Sequence, residues 1–325
     1  MIGAVVIGRN EGQRLISCLE SLAKHIDCVV YVDSGSTDNS LVESENRNIE
    51  CLSLDMSISF TAARARNEGA NYLIHKYPDL QFIQFIDGDC EIQPDWISKA
   101  QDFLENHNQY AVVCGRRRER YPENSVYNQL CDIEWNTPVG EALACGGDAL
   151  IRIEAFKQVS GYREGLIAGE EPEMCFRLRT AGWKIFRLDD EMTLHDAAML
   201  SIFQWWKRAK RAGYAYANGY YLHGSSIERF KKRELVSIVV WSIFIPFFIA
   251  INLFLSPLLI ILVVIYPIQV VRIALKPEQC KIESIKLRLL YASSHMLAKF
   301  PQFSGVVSFF INKYNGRSGK LIEYK

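Results

Sequence analysis

The chain has 325 residues, 49% hydrophobic and 23% charged, and its 37 basic and 37 acidic side chains cancel to a formal net charge of 0. These are globular proportions, which exclude a disordered or fibrous chain, and the neutrality argues against a nucleic-acid partner. The length accommodates one large α/β domain and an appendage.

The neutrality hides an asymmetry: acidic residues concentrate before about Glu191, and Lys and Arg dominate from Lys207 onward. Nine cysteines (Cys18, Cys28, Cys51, Cys90, Cys114, Cys131, Cys145, Cys175 and Cys280) form no C-x-x-C pair. That scatter suits small core residues in a reducing compartment, not a disulfide framework or a zinc site. The chain opens directly on strand-like Ile2–Ile7, so no signal peptide is expected.

In chain order, Ile2–Ile7 reads as a strand, and Leu15, Leu19 and Leu22 repeat at helical spacing through Glu11–Lys24. Cys28–Val32 is the next strand, followed by a loop and helix start over Asp33–Ser40 and a third strand at Ile49–Leu54. Thr61–His75 reads as a helix that Thr61 caps. Strands Phe82–Ile86 and Ala111–Gly115 flank a helix that begins near Pro94. Such alternation predicts a mostly parallel sheet with helices on both faces.

The strand Phe82–Ile86 runs into Asp87-Gly88-Asp89. Two carboxylates one residue apart at a strand's C-terminal end sit where α/β sheets bind ligands, and they offer the oxygens that Mg²⁺ or Mn²⁺ on a diphosphate requires. Other segments converge on the same edge. Gly8-Arg9-Asn10-Glu11-Gly12 follows the first strand and opens a helix, where backbone N–H groups meet a ligand. Asp33-Ser34-Gly35-Ser36-Thr37-Asp38 follows the second strand, and its Asp33 suits the N–H edge of a base or a ribose hydroxyl. Arg64 and Arg66 place two cations near a helix that begins beside the sheet, and Glu170-Glu171-Pro172-Glu173 gathers carboxylates at another helix N-terminus.

Taken together, these segments resemble the inverting glycosyltransferases of family 2, which have the GT-A fold. The resemblance spans about Met1 to Gly224 and includes Asn10-Glu11, the run Asp33 to Asp38, Arg66-Asn67 with Gly69, the Asp87/Asp89 pair, the loop Gly146-Gly147-Asp148 and the acidic helix start. It implies that Asn10, Glu11, Asp33, Arg66, Asp87, Gly147 and Asp148 bind the donor, with Asp33 at the nucleotide base. It implies that Asp89, Asp87 and His195 hold the divalent metal, Mg²⁺ or Mn²⁺. It places the catalytic base in Glu170-Glu171, at Glu171 by position, although most members carry Asp there; which of the two accepts the proton stays open.

Beyond the catalytic region, Leu235–Leu255 and Pro257–Leu275 are almost wholly apolar, each about as long as a bilayer core requires. Arg229, Lys231, Lys232 and Arg233 precede them, and Arg272, Lys276 and Lys281 follow, which fits a transmembrane hairpin with both ends cytoplasmic. The segment around Trp205-Trp206-Lys207-Arg208 has the composition of an interfacial helix. The expected plan is therefore a catalytic domain over 1–224, a basic juxtamembrane segment over 225–234, a hairpin over 235–275 and a cytoplasmic tail over 276–325. In that tail Ile285, Leu289 and Met296 share a helical face.

The expected activity is metal-dependent transfer of a sugar from a nucleotide-sugar donor to a lipid-linked saccharide at the inner membrane, in exopolysaccharide or cell-envelope glycan assembly. A processive polysaccharide synthase is the second enzymatic reading. A catalytically inactive glycan-binding or scaffold protein is the non-enzymatic one.

Overall fold

The computed structural model describes residues 1–277, 282 and 284–316. The chain divides into two compact units, Met1–Ala198 and Met199–Lys325. The helix Ile202–His223, grouped by sequence with the catalytic region, falls in the second.

In the first unit, β1 (Ile2–Gly8), β2 (Cys28–Asp33), β3 (Glu50–Ser53) and β4 (Phe82–Asp87) form a parallel run in the order β3-β2-β1-β4. Ala4, Val5 and Val6 are fully buried, as are Val30, Tyr31 and Val32, because helices cover both faces of a parallel sheet. Helix α1 (Gln13–Leu22) buries Leu15, Cys18, Leu19 and Leu22. Helix α2 is Ser40–Glu45. Helix α3 (Ala62–Lys76) starts at Thr61, whose hydroxyl accepts the Arg64 N–H at 3.1 Å, the cap expected from the sequence.

Past β4 the sheet becomes mixed. Strand β5 (Cys90–Ile92), helix α4 (Trp96–Asn106) and strand β6 (Tyr110–Glu119) come next, then helix α5 (Val126–Trp135) and short β7 (Gly140–Glu141). They are followed by β8 (Ala149–Arg152), α6 (Ile153–Gln158), α7 (Glu170–Thr180) and β9 (Lys184–His195). Strand β8 lies antiparallel between β4 and β6, and β9 runs parallel to β6 and antiparallel to β5. Register brings the site residues to one region: Gly8 pairs with Asp33, Ile7 with Asp87, and His195 with both Cys90 and Glu119.

The second unit is helical. Ser201 and Gln204 form a reciprocal capping box that starts Ile202–His223. This helix crosses Lys299–Tyr314 at Gly213 and Gly305, so closely that a Cβ on Gly213 would fall onto the Gln302 carbonyl and one on Gly305 onto that of Lys210. Tyr214 meets Phe309 edge-on at 5.3 Å beside the crossing.

Lys232–Leu255 is one continuous helix and, among the described residues, the one long and apolar enough to cross a membrane. It widens to π geometry over Val240–Phe244, just before Pro246. A proline in a helix removes a donor and crowds the carbonyl four residues earlier, and the wider turn relieves both. The second expected helix, Pro257–Leu275, is instead built from tight 3₁₀ turns over Pro257–Val264 and an α-helix over Ile265–Ala274. In the helix Ile285–Leu297, Ala292 and Met296 pack with Ile273 and Ala274, while Ile285 is 50% and Leu289 38% exposed. The expected face is thus buried only at its C-terminal end.

Candidate active site

The loop after β1 and the loop after β2 are zipped together. Asn10, at a positive φ of 57°, donates its N–H to Ser36 Oγ at 3.0 Å, and its Oδ1 accepts the Thr37 N–H at 2.7 Å. Gly12 N–H reaches Asp38 Oδ2 at 3.1 Å. Glu11 pairs with Arg14 at 2.8 Å. Asp33 is buried, and its carboxylate accepts from the Gly35 and Ser36 N–H groups and from the Tyr31 hydroxyl at 3.0, 2.9 and 2.9 Å. The expected base-reading carboxylate therefore also shapes its own loop, and Asn10 and Glu11 are engaged within the chain.

A second group is centred on Asp87. Arg66, 3% exposed, bridges Asp87 Oδ1 at 2.7 Å and Glu170 Oε1 at 2.9 Å. Arg117 lies 2.7 Å from Asp148 Oδ2 and 3.5 Å from Asp87 Oδ2. Asp148 is fully buried; it accepts the Asp87 N–H at 3.1 Å and the Thr193 hydroxyl at 2.8 Å, so it fixes the end of β4. Burial opposes the charge on both arginines, but the surrounding carboxylates outweigh it and hold the guanidinium groups more firmly protonated than usual. A side chain at Gly147 would put a Cβ 2.9 Å from Asp87 Oδ2 and 3.0 Å from Arg66 Nη2, so it would push these paired groups aside.

The third group is Asp89 with His195. Their Oδ2 and Nε2 are 3.3 Å apart, and both residues are buried. Glu119 Oε2 sits 4.0 Å from His195 Nδ1, and Trp135 meets the ring edge-on at 4.6 Å. Burial, reinforced by Arg117, lowers the His195 pKa to about 4, so the imidazole is neutral near pH 7. Its Nδ1 is buried without a hydrogen-bond partner. That orphaned nitrogen is on the Glu119 side; the neutral imidazole's other nitrogen, Nε2, and the Asp89 carboxylate it faces make a donor set that fits Mg²⁺ or Mn²⁺. Cys90 lies within the same cluster, and burial raises its pKa well above that of a free thiol. The three residues expected to share the metal divide: Asp89 faces His195, whereas Asp87 is engaged by Arg66 and Arg117.

Glu170 and Glu171 begin α7 and diverge. Glu170 meets Arg66, while Glu171 accepts the Cys145 N–H at 2.6 Å and the Cys175 thiol at 3.1 Å. Sequence reading missed Arg117, Trp135 and Glu119. Arg117 stacks over Trp135 at 5.6 Å and so joins the Asp87 group to the His195 group. Glu119 accepts from Asn128, Tyr121 and Ala197 and anchors the chain after β9. The available signal was the run Arg116-Arg117-Arg118-Glu119 at a strand end, where successive side chains point to opposite faces.

Residues 4–159 match the family model described as Glycosyl transferase family 2. The succinoglycan biosynthesis protein ExoA of Rhizobium meliloti is 26% identical over 198 residues, which cover 55% of this chain and 58% of that protein. The O-antigen chain rhamnosyltransferase RfbN of Salmonella typhimurium is 24% identical over 184 residues, covering 52% and 57%. The chain thus spans somewhat more than half the length of these relatives. Among solved structures, the mannosyltransferase PcManGT from Pyrobaculum calidifontis, in complex with GDP-Man and Mn²⁺, superposes with a TM-score of 0.61 at 14% identity. That match covers 96% of this chain and 87% of the other, and the shared fold is the GT-A fold.

Proposed function

We infer, from a chain whose residues 4–159 belong to glycosyl transferase family 2, that this protein transfers a sugar from a nucleotide-sugar donor to a membrane-associated saccharide, with inversion at the anomeric carbon. The observation that carries the reading is the Arg66 bridge. One buried guanidinium ties Asp87, at the end of the strand that leads to the metal carboxylate, to Glu170, which is adjacent to the base. Donor diphosphate and acceptor hydroxyl would then meet at a single preorganised edge.

Asp89 and His195 would hold the divalent cation, with Asp87 beside it. When bound, the cation supplies charge neutralisation to the departing diphosphate. Arg66 and Arg117 add fixed positive charge at the same edge, where leaving-group charge develops. Glu171 takes the proton from the attacking acceptor hydroxyl, and single displacement needs no covalent nucleophile. Asp33, with Asn10 and Glu11 shaping the neighbouring loop, receives the nucleoside end. Gly147 leaves room for the sugar beside Asp87, and Asp148 sets the height of that carboxylate.

The acceptor follows from similarity. One relative is named for succinoglycan biosynthesis and the other for building an O-antigen chain. Assembly of an exopolysaccharide or cell-envelope glycan on a polyprenyl-diphosphate carrier, at the cytoplasmic face of the inner membrane, is the corresponding role here. The exposed apolar residues of the second unit support membrane association: Phe203 at 77% and Trp206 at 44% on one helix, Phe247 at 64% and Phe254 at 93% on another.

The test is donor turnover with and without Mn²⁺. Asp89→Ala should abolish turnover and the Mn²⁺-dependent rise in melting temperature with a nucleotide sugar, because one of few protein oxygens on the cation is lost. Full turnover by Asp89→Ala in the presence of a chelator would overturn the assignment. Donor binding by the wild type without transfer or hydrolysis would favour the scaffold reading.

A further inference from the structure

Beneath the loop that precedes Gly147, three groups distant in sequence converge. Cys145 Sγ and Cys175 Sγ are 3.6 Å apart, and Cys175 Sγ lies 3.1 Å from Glu171 Oε1. One ligand atom from each of the three residues falls within 4.8 Å of the others. Cys175 and Glu171 stand one helical turn apart on α7, and Cys145 reaches them from the loop before β8. None of the three serves the Asp89–His195 pair.

We propose that Cys145, Cys175 and Glu171 form a second cation site, selective for a thiophilic divalent ion of the zinc class, whose occupancy sequesters the base. The spacing suits this chemistry. Zinc–thiolate bonds of about 2.3 Å at a tetrahedral centre put two sulfurs about 3.8 Å apart, and a sulfur and a carboxylate oxygen about 3.6 Å apart. A disulfide would instead require the two sulfurs to close to about 2.05 Å, against the hydrogen bond that holds Cys175 on Glu171. On binding, two S–H bonds break, two metal–sulfur bonds form and both protons pass to solvent. Cys145 is half-buried and its neighbours Ala144 and Gly146 are exposed, so an ion would enter from this loop, and water would complete a tetrahedral shell.

The donor set separates this site from the catalytic one. Two sulfurs favour zinc or cadmium over Mg²⁺ and Mn²⁺, while carboxylate and imidazole at Asp89 and His195 accept the harder ions. The inhibitory consequence rests on Glu171 acting as the base; cation binding itself does not.

The experiment titrates the full-length reduced protein with Cd²⁺ in excess Mn²⁺ and follows the cadmium–thiolate charge-transfer absorbance. The wild type should take up one equivalent with this signal, Cys145→Ser and Cys175→Ser should each lose it, and Cys51→Ser should retain it. Alkylation mapping of the wild type needs no variant: Zn²⁺ should protect Cys145 and Cys175 and no other cysteine. Absence of the band in the wild type, its persistence in both serine variants, or isolation of a Cys145–Cys175 disulfide in place of cadmium uptake would overturn the site. In turnover at saturating Mn²⁺, Zn²⁺ should slow the wild type on the order of 10²-fold, with reversal by a thiol-competing chelator. Cadmium uptake without inhibition would overturn the role of Glu171 while the site stands. Cadmium uptake by a protein that never turns over a donor would overturn the glycosyl-transfer reading alone.

Discussion

Glu170 and Glu171 are neighbours at one helix N-terminus, yet their partners differ in kind. Glu170 is held in an ion pair with a buried guanidinium, whereas the partners of Glu171 are a neutral N–H and a thiol. Glu171→Gln should therefore keep donor affinity and cut transfer by roughly 10²–10⁴-fold. Glu170→Gln should mainly raise the donor KM by loosening Arg66; the reverse pattern would move the base to Glu170. His195 gives a second prediction, in stability. Its folded pKa of about 4 lies below the free value of 6.5, so between those pH values the unfolded chain binds a proton that the folded chain does not. Stability must then rise with pH across this window, by up to about 1.4 kcal/mol per pH unit from this group. Urea unfolding from pH 7 to 4.5 should show that slope in the wild type in excess of the slope in His195→Gln, and equal slopes would refute the buried neutral imidazole. Glu170, Glu171 and His195 stood out in the sequence because each sits in an ordered set of motifs. Arg117 and Trp135 did not, since their significance lies in a stack between β6 and α5, and neither stands in a recognisable spacing.

At the scale of elements, the parallel strands declared themselves because continuous apolar runs have few other uses. Strand β9, Lys-Ile-Phe-Arg-Leu-Asp-Asp-Glu-Met-Thr-Leu-His, did not, because charged residues interrupt its alternation and the register with β6 shifts three times. Those irregularities let one strand pair with β6, β5 and β7 and still deliver His195 to Asp89. The crossing of Ile202–His223 with Lys299–Tyr314 was equally silent, as a lone glycine in a helix looks like a defect. It also reverses an ordinary expectation. Gly→Ala inside a helix usually stabilises by about 0.5–1 kcal/mol, but at Gly213 the added methyl meets the Gln302 carbonyl. Gly213→Ala should instead destabilise by roughly 1–3 kcal/mol, the scale of overpacking, as read from the denaturant midpoint. A neutral or stabilising result would mean that the two helices do not cross this closely.

For the whole molecule, the proposed membrane-associated acceptor turns on whether the apolar helices of the second unit cross a bilayer. Lys232–Leu255 spans 24 residues with only 17% of its most apolar window buried, an exposed apolar surface of the kind that marks a membrane or protein contact. The segment after Ser256 is shorter in helical residues but not in reach. Eight residues of 3₁₀ helix rise about 2.0 Å each and ten of α-helix about 1.5 Å, a contour of about 31 Å against a hydrocarbon core of about 30 Å. Two crossings are thus sterically available, and Arg229, Lys231, Lys232 and Arg233 before them, with Arg272 and Lys276 after, favour the same side for both ends. Under the proposed function, a cytoplasmic donor would put the Asp89–His195 edge on the cytoplasmic side. Reporter fusions at Met1 and Lys325 should both signal cytoplasm, and an insertion near Ser256 should signal the opposite face. A C-terminal reporter on the outside would establish a single crossing by Lys232–Leu255. All three reporters inside would make the pair re-entrant or surface-lying.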